Sequence, residues 1–473
     1  MSDLQITAEL TNGTIYNINM SLATRDSDTY NTGLGRKGFD CSNPINDALI
    51  LKNIMSAGRS NRISNITFNF LNGYNYNYAP LIFNYTDIRP NGNGVTVTLA
   101  GLLNPLFSWF GDYFNVNNIN IEGTNFHNVQ DAYRMFFNCH RIKNIPNNIN
   151  LKNATNIGDM FYGCDNIGTI PNIFGNNISI ITTSNTGIVG GMGLFHGCSN
   201  LTTVPNINLS KVEDFEGMFA DCWNLINTPN FNTSNAKKIA SMFDSCWNLI
   251  NIPSFDLSNC TNAESAFYGC SNLINIPNLD LSNCTDAFAM FMNCRNLASI
   301  SDLNISENCQ TESMFSGCYN LKYINTRFPH AKYGIFTDCY NLESVQWSKE
   351  NLLCRSNAFT NCYSLSSNTF NNIDNIYIEG GSFLFKDCSN LTDLPLCNFI
   401  GQGAGCSGTF ANCYNLINLN IIFDNAIDYV RIATYEPLMF ENCNSLSNQS
   451  LENIARGLPP FNKIRISSAP EPM

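Results

Sequence analysis

Cysteine is the residue whose number and spacing in this sequence could do chemistry. The chain of 473 residues holds 20 cysteines, and a thiolate can bind zinc or attack a substrate. One group of cysteines follows a phenylalanine by three residues and contains no Cys-x-x-Cys pair, the spacing that zinc sites favour. We therefore predict a column of buried single thiols without metal. Its members are Cys139, Cys164, Cys198, Cys222, Cys246, Cys270, Cys294, Cys318, Cys339, Cys362, Cys388, Cys413 and Cys443.

Two smaller groups of cysteines lie outside this column. Cys260, Cys284 and Cys309 form a shorter column, for which we also predict buried thiols. Cys397 and Cys406 are less regular, so a disulfide or a metal role stays open there. The N-terminal stretch "MSDLQITAEL" shows no charged segment followed by an apolar one. This predicts synthesis without export and cysteines that stay reduced.

Other residue types give no sign of catalysis. The four histidines, His127, His140, His196 and His330, share no metal-binding spacing, and the sequence has no Gly-rich phosphate loop or HExxH motif. We predict no enzyme, no cofactor and no metal. A glycan hydrolase with its active site in the insertion 176–193 is an alternative, although that insertion holds no Asp or Glu.

Composition narrows the partners. The net charge of −12 makes a poor match for nucleic acid, because an acidic surface repels phosphates. The 44% hydrophobic content is enough for a large core. No apolar run reaches the length of a membrane span, so we predict no membrane insertion.

The cysteine column marks an internal repeat of thirteen units. Five consecutive spacings, from Cys198 to Cys318, are 24 residues, and the other seven range from 21 to 34. The third residue after each cysteine is apolar in all units, and the second is asparagine in ten. A fixed period of this length predicts a solenoid in which neighbouring units bury each other's apolar side.

One unit predicts one brief strand and one short helix. The stretch "NLINIPSFDL" is short, is interrupted by a proline and is flanked by Asn and Ser, which favours a brief strand and a bend. In "SNCTNAESAFYGC" the apolar residues Ala263, Ala266, Phe267 and Cys270 recur at helical spacing. We expect Phe and Cys of each unit to form the structural core, represented by Phe219, Cys222, Phe243, Cys246, Phe267, Cys270, Phe291 and Cys294.

Three further columns are candidates for the surface. We expect the asparagines two after the cysteine to stack amides that bond to the backbone in the turn. The residue directly after the cysteine is often aromatic, as at Trp223, Trp247, Tyr319 and Tyr340. These rings either shield the core or bind sugar or protein. The polar strand positions are the other candidates for binding: Thr203, Asn227, Asn251, Asn275, Ser299 and Tyr323.

The repeats resemble a known family. "MFADCWNL", "MFDSCWNL", "AFYGCSNL" and "MFSGCYNL" look like the BspA-like leucine-rich repeat family, and "PNFNTSNAKKIASMF" looks like its mycoplasma and firmicute variant. The resemblance covers residues 110–458. It implies a right-handed α/β solenoid of short parallel strands and short helices. Members are mostly bacterial surface proteins that bind host or partner molecules, and others occur in protozoa and in bacteriophage tails.

The chain divides into four predicted regions. Residues 1–60 are an attachment or cap region, 61–125 are degenerate first repeats, 126–446 are the solenoid, and 447–473 are a capping helix and tail. In the first two, alternating stretches such as "ISNITFNF" and "GVTVTLAG" predict strands, and "NPINDALILKNIMSAG" predicts a helix. "NQSLENIARG" predicts the C-terminal helix.

Two functional hypotheses follow, both without catalysis. The first is a bacteriophage tail, baseplate or fibre protein, oligomeric within the virion, held to other virion proteins by its N-terminal region and contacting a host surface protein or glycan. The alternative is an adhesin at the bacterial cell surface, which normally carries an export signal and an anchor.

Overall fold

A computed structural model describes residues 4–10, 13, 15–20, 63–70, 95–101, 116–122, 129–130, 132–182, 193–400, 406–423, 430–433, 439–457 and 464–466. The chain forms two compact units, Met1–Ala236 and Lys237–Met473. Each unit has its own hydrogen-bonded sheets. The helix predicted for "NPINDALILKNIMSAG" lies outside the described residues.

The first unit opens with a five-stranded sheet in the order β2-β1-β3-β4-β5. Its strands are β1 (Leu4–Leu10), β2 (Ile15–Met20), β3 (Ile63–Phe70), β4 (Val95–Gly101) and β5 (Val116–Glu122). β1 pairs antiparallel with β2 and β3, whereas β3, β4 and β5 are parallel. The alternating stretches therefore form strands as predicted, and their role as a cap stays a prediction.

The second unit carries two four-stranded sheets of short parallel strands. The first sheet, in chain order, is β6 (Asn275–Ile276), β7 (Ser299–Ile300), β8 (Tyr323–Phe328) and β9 (Ser344–Trp347). The second is β10 (Asn351–Arg355), β11 (Asn375–Glu379), β12 (Leu396–Ile400) and β13 (Ile421–Phe423). A 3₁₀ helix spans Ser367–Phe370. β14 (Val430–Ala433) pairs in parallel with β15 (Ile464–Ile466).

The predicted C-terminal helix is formed as α1, Asn448–Gly457. Ser447 begins it, since its Oγ accepts a hydrogen bond from Ser450 N at 3.2 Å. The Ser450 hydroxyl donates to Ile417 O at 2.9 Å and accepts from Leu419 N at 3.0 Å. Buried Ser450 therefore joins α1 to the coil of Cys413.

The helix predicted for each repeat is wrong, because the described repeat segments are runs of turns. In the unit of Cys270, Phe267 N and Gly269 N donate to Met290 O and Met292 O of the following coil. The alternate N–H groups, of Tyr268 and Cys270, donate to Ser265 O and Phe267 O, three residues back within their own coil. Half of the N–H groups thus point along the stack, which an α-helix does not allow.

Left-handed residues produce these turns. Gly269 has φ 70° and Ser265, four residues earlier, has φ 53°. The residue before the repeat cysteine has φ between 56° and 75° in each of the thirteen repeats, and it is always Gly, Asn, Asp or Ser. Glycine tolerates this conformation, and Asn and Asp tolerate it better than other residues with a Cβ. The sequence analysis did not use this signal, which argues for turns and against helices.

The core of each unit is a stack of phenylalanine rings beside a column of thiols. Consecutive repeat phenylalanines lie 5.3–5.8 Å apart, from Phe136 to Phe219 in the first unit and from Phe243 to Phe440 in the second. Cys270 Sγ donates to Phe243 O at 3.2 Å, and equivalent bonds of 2.9–3.2 Å recur along both units. The predicted core residues Phe219, Cys222, Phe243, Cys246, Phe267, Cys270, Phe291 and Cys294 are all fully buried.

Candidate binding face

The polar strand positions form a row in the second unit. Asn251, Asn275, Ser299 and Tyr323 are paired in sequence by parallel bridges, so each coil contributes one of them. All four are exposed. In the first unit Thr203 and Asn227 are exposed as well, and Thr203 pairs with Thr169. We call this set of six, with its two parts in different units, the strand column.

Apolar side chains lie next to the strand column. Trp247, Ile250 and Ile274 of the second unit are 48%, 38% and 45% exposed, and Trp223 and Ile226 of the first unit are also exposed. The isoleucines stand four residues after the repeat cysteine, directly before a strand-column position. These isoleucines are absent from the predicted binding residues, although three consecutive repeats carry isoleucine at this position. Exposed apolar groups that recur on neighbouring coils make this face a candidate interaction surface.

A second row consists of stacked tyrosines, Tyr319, Tyr340 and Tyr363, here the tyrosine stack. The ring centroids of Tyr319 and Tyr340 are 4.7 Å apart and those of Tyr340 and Tyr363 are 5.3 Å apart. The Arg295 guanidinium lies 5.4 Å from the Tyr319 ring. Partial burial, together with the Asp338 carboxylate, raises the pKa of Tyr340. Tyr319 and Tyr340 are half-buried, while Tyr363 is exposed.

The asparagines form the predicted amide ladder. In the second unit the Nδ2 of Asn272, Asn296, Asn320 and Asn341 donates to the Oδ1 of the preceding asparagine at 3.2–3.4 Å. Asn224 does the same to Asn200 in the first unit. These amides satisfy one another, so the ladder stabilises the stack.

One ion pair lies beside the strand column. Lys322 Nζ is 3.0 Å from Glu343 Oε1, and the ammonium also lies 5.1 Å from the Tyr323 ring. Hydrogen bonds from Lys322 and Tyr323 lower the pKa of Glu343. The Glu343 carboxylate is therefore charged at neutral pH and balanced by Lys322.

The smaller cysteine groups are free thiols. Cys260, Cys284, Cys309, Cys397 and Cys406 are buried, and none of the described cysteines forms a disulfide. Neighbouring thiols hydrogen-bond to Cys284 and lower its pKa. Burial raises the pKa of Cys406 to about 12. Among the described residues no group of three His, Cys, Asp or Glu could hold a metal ion.

Two of the histidines lie beside carboxylates. His140 Nδ1 is 2.9 Å from Asp165 Oδ2, and His196 Nε2 is 3.5 Å from Asp221 Oδ2. The hydrogen bond from His196 lowers the pKa of Asp221. Within the described ranges, no helix is both long enough and apolar enough to cross a membrane.

Comparison with protein families gives two matches. Residues 287–416 match the BspA type leucine rich repeat region, a model of six copies. Overlapping segments between residues 104 and 328 match the family described as "Mycoplasma protein of unknown function, DUF285". No curated protein matches the chain.

Solved structures are similar at low identity. A leucine-rich repeat protein from Bacteroides ovatus is 19% identical, with 61% of this chain and 84% of that chain covered and a TM-score of 0.33. A leucine rich cell surface protein from Faecalibacterium prausnitzii is 16% identical, with 77% and 84% covered and a TM-score of 0.31. A leucine-rich repeat protein from Eubacterium ventriosum is 15% identical, with 80% and 91% covered and a TM-score of 0.26.

The family match confirms the resemblance seen in the repeats. Six matched copies, together with the coil-to-coil hydrogen bonds, show a leucine-rich repeat solenoid of about six turns with little helix. The chain therefore carries a BspA-type leucine-rich repeat region at residues 287–416.

Proposed function

We propose that this protein is a non-enzymatic binding scaffold at a bacterial cell surface, an adhesin that binds a host or partner macromolecule. The observation that carries the proposal is the row of exposed Ile250 and Ile274 on successive coils, each directly before a strand-column residue. Apolar groups rimmed by amides and hydroxyls suit the surface of a protein partner. The F. prausnitzii relative described as a cell surface protein supports the location.

We infer that all thirteen repeats form coils of the same kind, because the left-handed residue before the cysteine recurs in each of them. None of the matches above supports the bacteriophage virion hypothesis, and the family matches favour the adhesin.

The binding face is tested with charge substitutions in two coils. The double variant Asn251→Glu, Asn275→Glu places two carboxylates beside Trp247 and Ile250. The control, Ser254→Glu with Asn278→Glu, changes exposed residues of the same coils three positions further along. Labelled protein is applied to immobilised host extracellular-matrix proteins and to bacterial envelope fractions.

We expect the wild type and the control to bind one of these surfaces and the strand-column variant to lose at least tenfold in affinity. Thermal midpoints should agree within a few degrees for all three. Equal binding by the strand-column variant places the interface elsewhere. Failure of antibodies to label intact source cells contradicts the surface location.

A further inference from the structure

A polar groove lies in the second unit where two of the repeat columns change residue type. Its volume is about 560 Å³, and its lining residues are Glu343, Tyr363, Ser364, Ser366, Ser389, Asn390 and Asn415. This groove lies outside the predicted binding residues, apart from its neighbour Tyr340. It is large enough for one or two sugar rings.

The first change ends the tyrosine stack. The Tyr363 ring packs against Tyr340 on one side, with the two ring planes tilted by 32°, and the next residue of that column is Ser389. Stacked rings of this column lie 4.7–5.3 Å apart, so the serine leaves a slot one ring thick. Tyr363 is 44% exposed and lines this slot. An open aromatic face is the part of the groove that an apolar ring face can cover.

The second change interrupts the amide ladder. Ser364 stands where the ladder would continue from Asn341, and the next two amides turn to the backbone instead. Asn390 Nδ2 donates to Ser364 O at 3.2 Å, and Asn415 Nδ2 donates to Ser389 O at 2.8 Å. No donor among the described residues reaches the Oδ1 atoms of Asn390 and Asn415. Both amides are fixed by their donors and present an acceptor.

The groove therefore combines one aromatic face with fixed acceptors and little charge. The Glu343 carboxylate, at one end, is balanced by Lys322 at 3.0 Å. A ligand that suits this site has an apolar face, several hydroxyl donors and no net charge. A neutral pyranose meets these conditions, since its C–H face stacks on an aromatic ring and its hydroxyls donate to amide and carboxylate oxygens.

We propose that this groove is a binding subsite for a neutral pyranose sugar, stacked on Tyr363 in the place left by Ser389 and held by Asn390 and Asn415. The proposal rests on the proposed binding function and assigns it a ligand class at a separate site.

The test uses the full chain and methyl glycosides of glucose, galactose, mannose and N-acetylglucosamine, measured by saturation-transfer NMR and titration calorimetry. Ser389→Tyr fills the slot with the residue type already present at Tyr340 and Tyr363, and Tyr363→Ala removes the stacking face. Tyr333→Ala, at a tyrosine outside the groove with nearly the same exposure as Tyr363 (43% against 44%), is the matched control.

We expect at least one glycoside to bind the wild type, with transfer strongest at protons of one ring face. Ser389→Tyr and Tyr363→Ala should each lower the affinity at least tenfold, and Tyr333→Ala should leave it unchanged. If Ser389→Tyr does not fold, Ser364→Asn replaces it, because it offers Asn390 the partner that the ladder uses elsewhere.

No binding of any glycoside, or equal binding by Ser389→Tyr or Ser364→Asn, overturns the proposal. Attachment of wild type to a host surface without glycoside binding leaves the adhesin function standing and removes the subsite. Glycoside binding without attachment to any surface leaves the subsite standing and removes the adhesin function.

Discussion

At the scale of single residues, the repeat cysteine is explained by a backbone carbonyl. Phe243 O accepts two hydrogen bonds: one from Cys246 N of its own coil at 3.1 Å, and one from Cys270 Sγ of the next coil at 3.2 Å. Alanine would fill the space without donating, and serine would add a more polar group to a buried column. The prediction of single thiols from spacing alone therefore has a physical reason, although the bond itself could not be read from the sequence.

Cys443 should be the first repeat thiol to react. It is half-buried and burial raises its pKa only to about 11, whereas Cys270 is fully buried and its pKa is raised further. We expect iodoacetamide at pH 8 to alkylate Cys443 well before Cys270, as measured by peptide mass spectrometry over time. Similar rates at the two sites would mean that the coils open faster than they react.

The Arg134–Asp159 pair should matter far more than a surface pair. Asp159 is buried, with Oδ2 3.2 Å from Arg134 Nε, and the guanidinium lies 4.4 Å from the Phe137 ring. Arg134→Ala removes the guanidinium beside a buried carboxylate, and we expect about 3 kcal/mol less stability in urea unfolding.

The control for that measurement is Arg456→Ala, which removes an exposed pair on α1 with Glu452 at 3.5 Å. It should change the free energy of unfolding by less than about 0.5 kcal/mol. A loss below about 1 kcal/mol for Arg134→Ala would show that water replaces the guanidinium.

At the scale of elements, alternation and spacing predict the strands and the terminal helix correctly but take the turns for helices. β1 to β5 follow from alternation, and α1 follows from Ser447 and the apolar spacing behind it. The repeat segment has apolar residues at helical spacing because left-handed residues such as Ser265 and Gly269 also recur every four positions. Spacing of side chains is the same in both cases, and only the residue type before the cysteine distinguishes them.

Gly269→Ala tests the left-handed turn directly. A Cβ at Gly269 would meet its nearest atoms at 3.7 Å or more, so only the φ of 70° opposes it. We expect a loss of about 1 kcal/mol in the free energy of unfolding. Gly168→Ala, which also meets no close atom, should be neutral. Equal effects of the two variants would contradict a left-handed requirement at Gly269.

The candidate binding face was only partly readable from the sequence. The strand column follows from its place before the proline, whereas the groove depends on Ser364 and Ser389, which look like ordinary exceptions to two columns. Their effect exists only when a coil is stacked on the previous one, because each column continues across a spacing of about two dozen residues.

At the scale of the whole molecule, the buried thiols make stability depend on alkaline pH. Burial raises the pKa of the column thiols, among them Cys198, Cys318 and Cys388. Unfolded thiols ionise from about pH 8.5. The pKa of these thiols is higher in the folded than in the unfolded state. Their contribution to stability is therefore complete below about pH 8.5 and is lost as the pH rises above it.

We expect the free energy of unfolding to fall steeply between pH 8 and 9.5, by up to about 1.4 kcal/mol per pH unit for each fully ionised thiol. Urea unfolding in the presence of a phosphine reductant measures this free energy. Between pH 6.5 and 7.5, the control range, it should not change. A constant value up to pH 9.5 would mean that the unfolded chain keeps its thiols protonated.

The coil-to-coil hydrogen bonds also govern how this gene can change in length. In the second unit each coil presents to its successor the same row of donors and acceptors that it meets in its predecessor. Excision of residues 271–294, one full period, would bring the ring of Phe267 against that of Phe315 and restore every contact type. The coils of 21, 23, 26 and 25 residues that follow Phe315 keep the same ring stack, so a change of a few residues is absorbed within one coil, whereas gain or loss of a whole coil leaves every contact type in place.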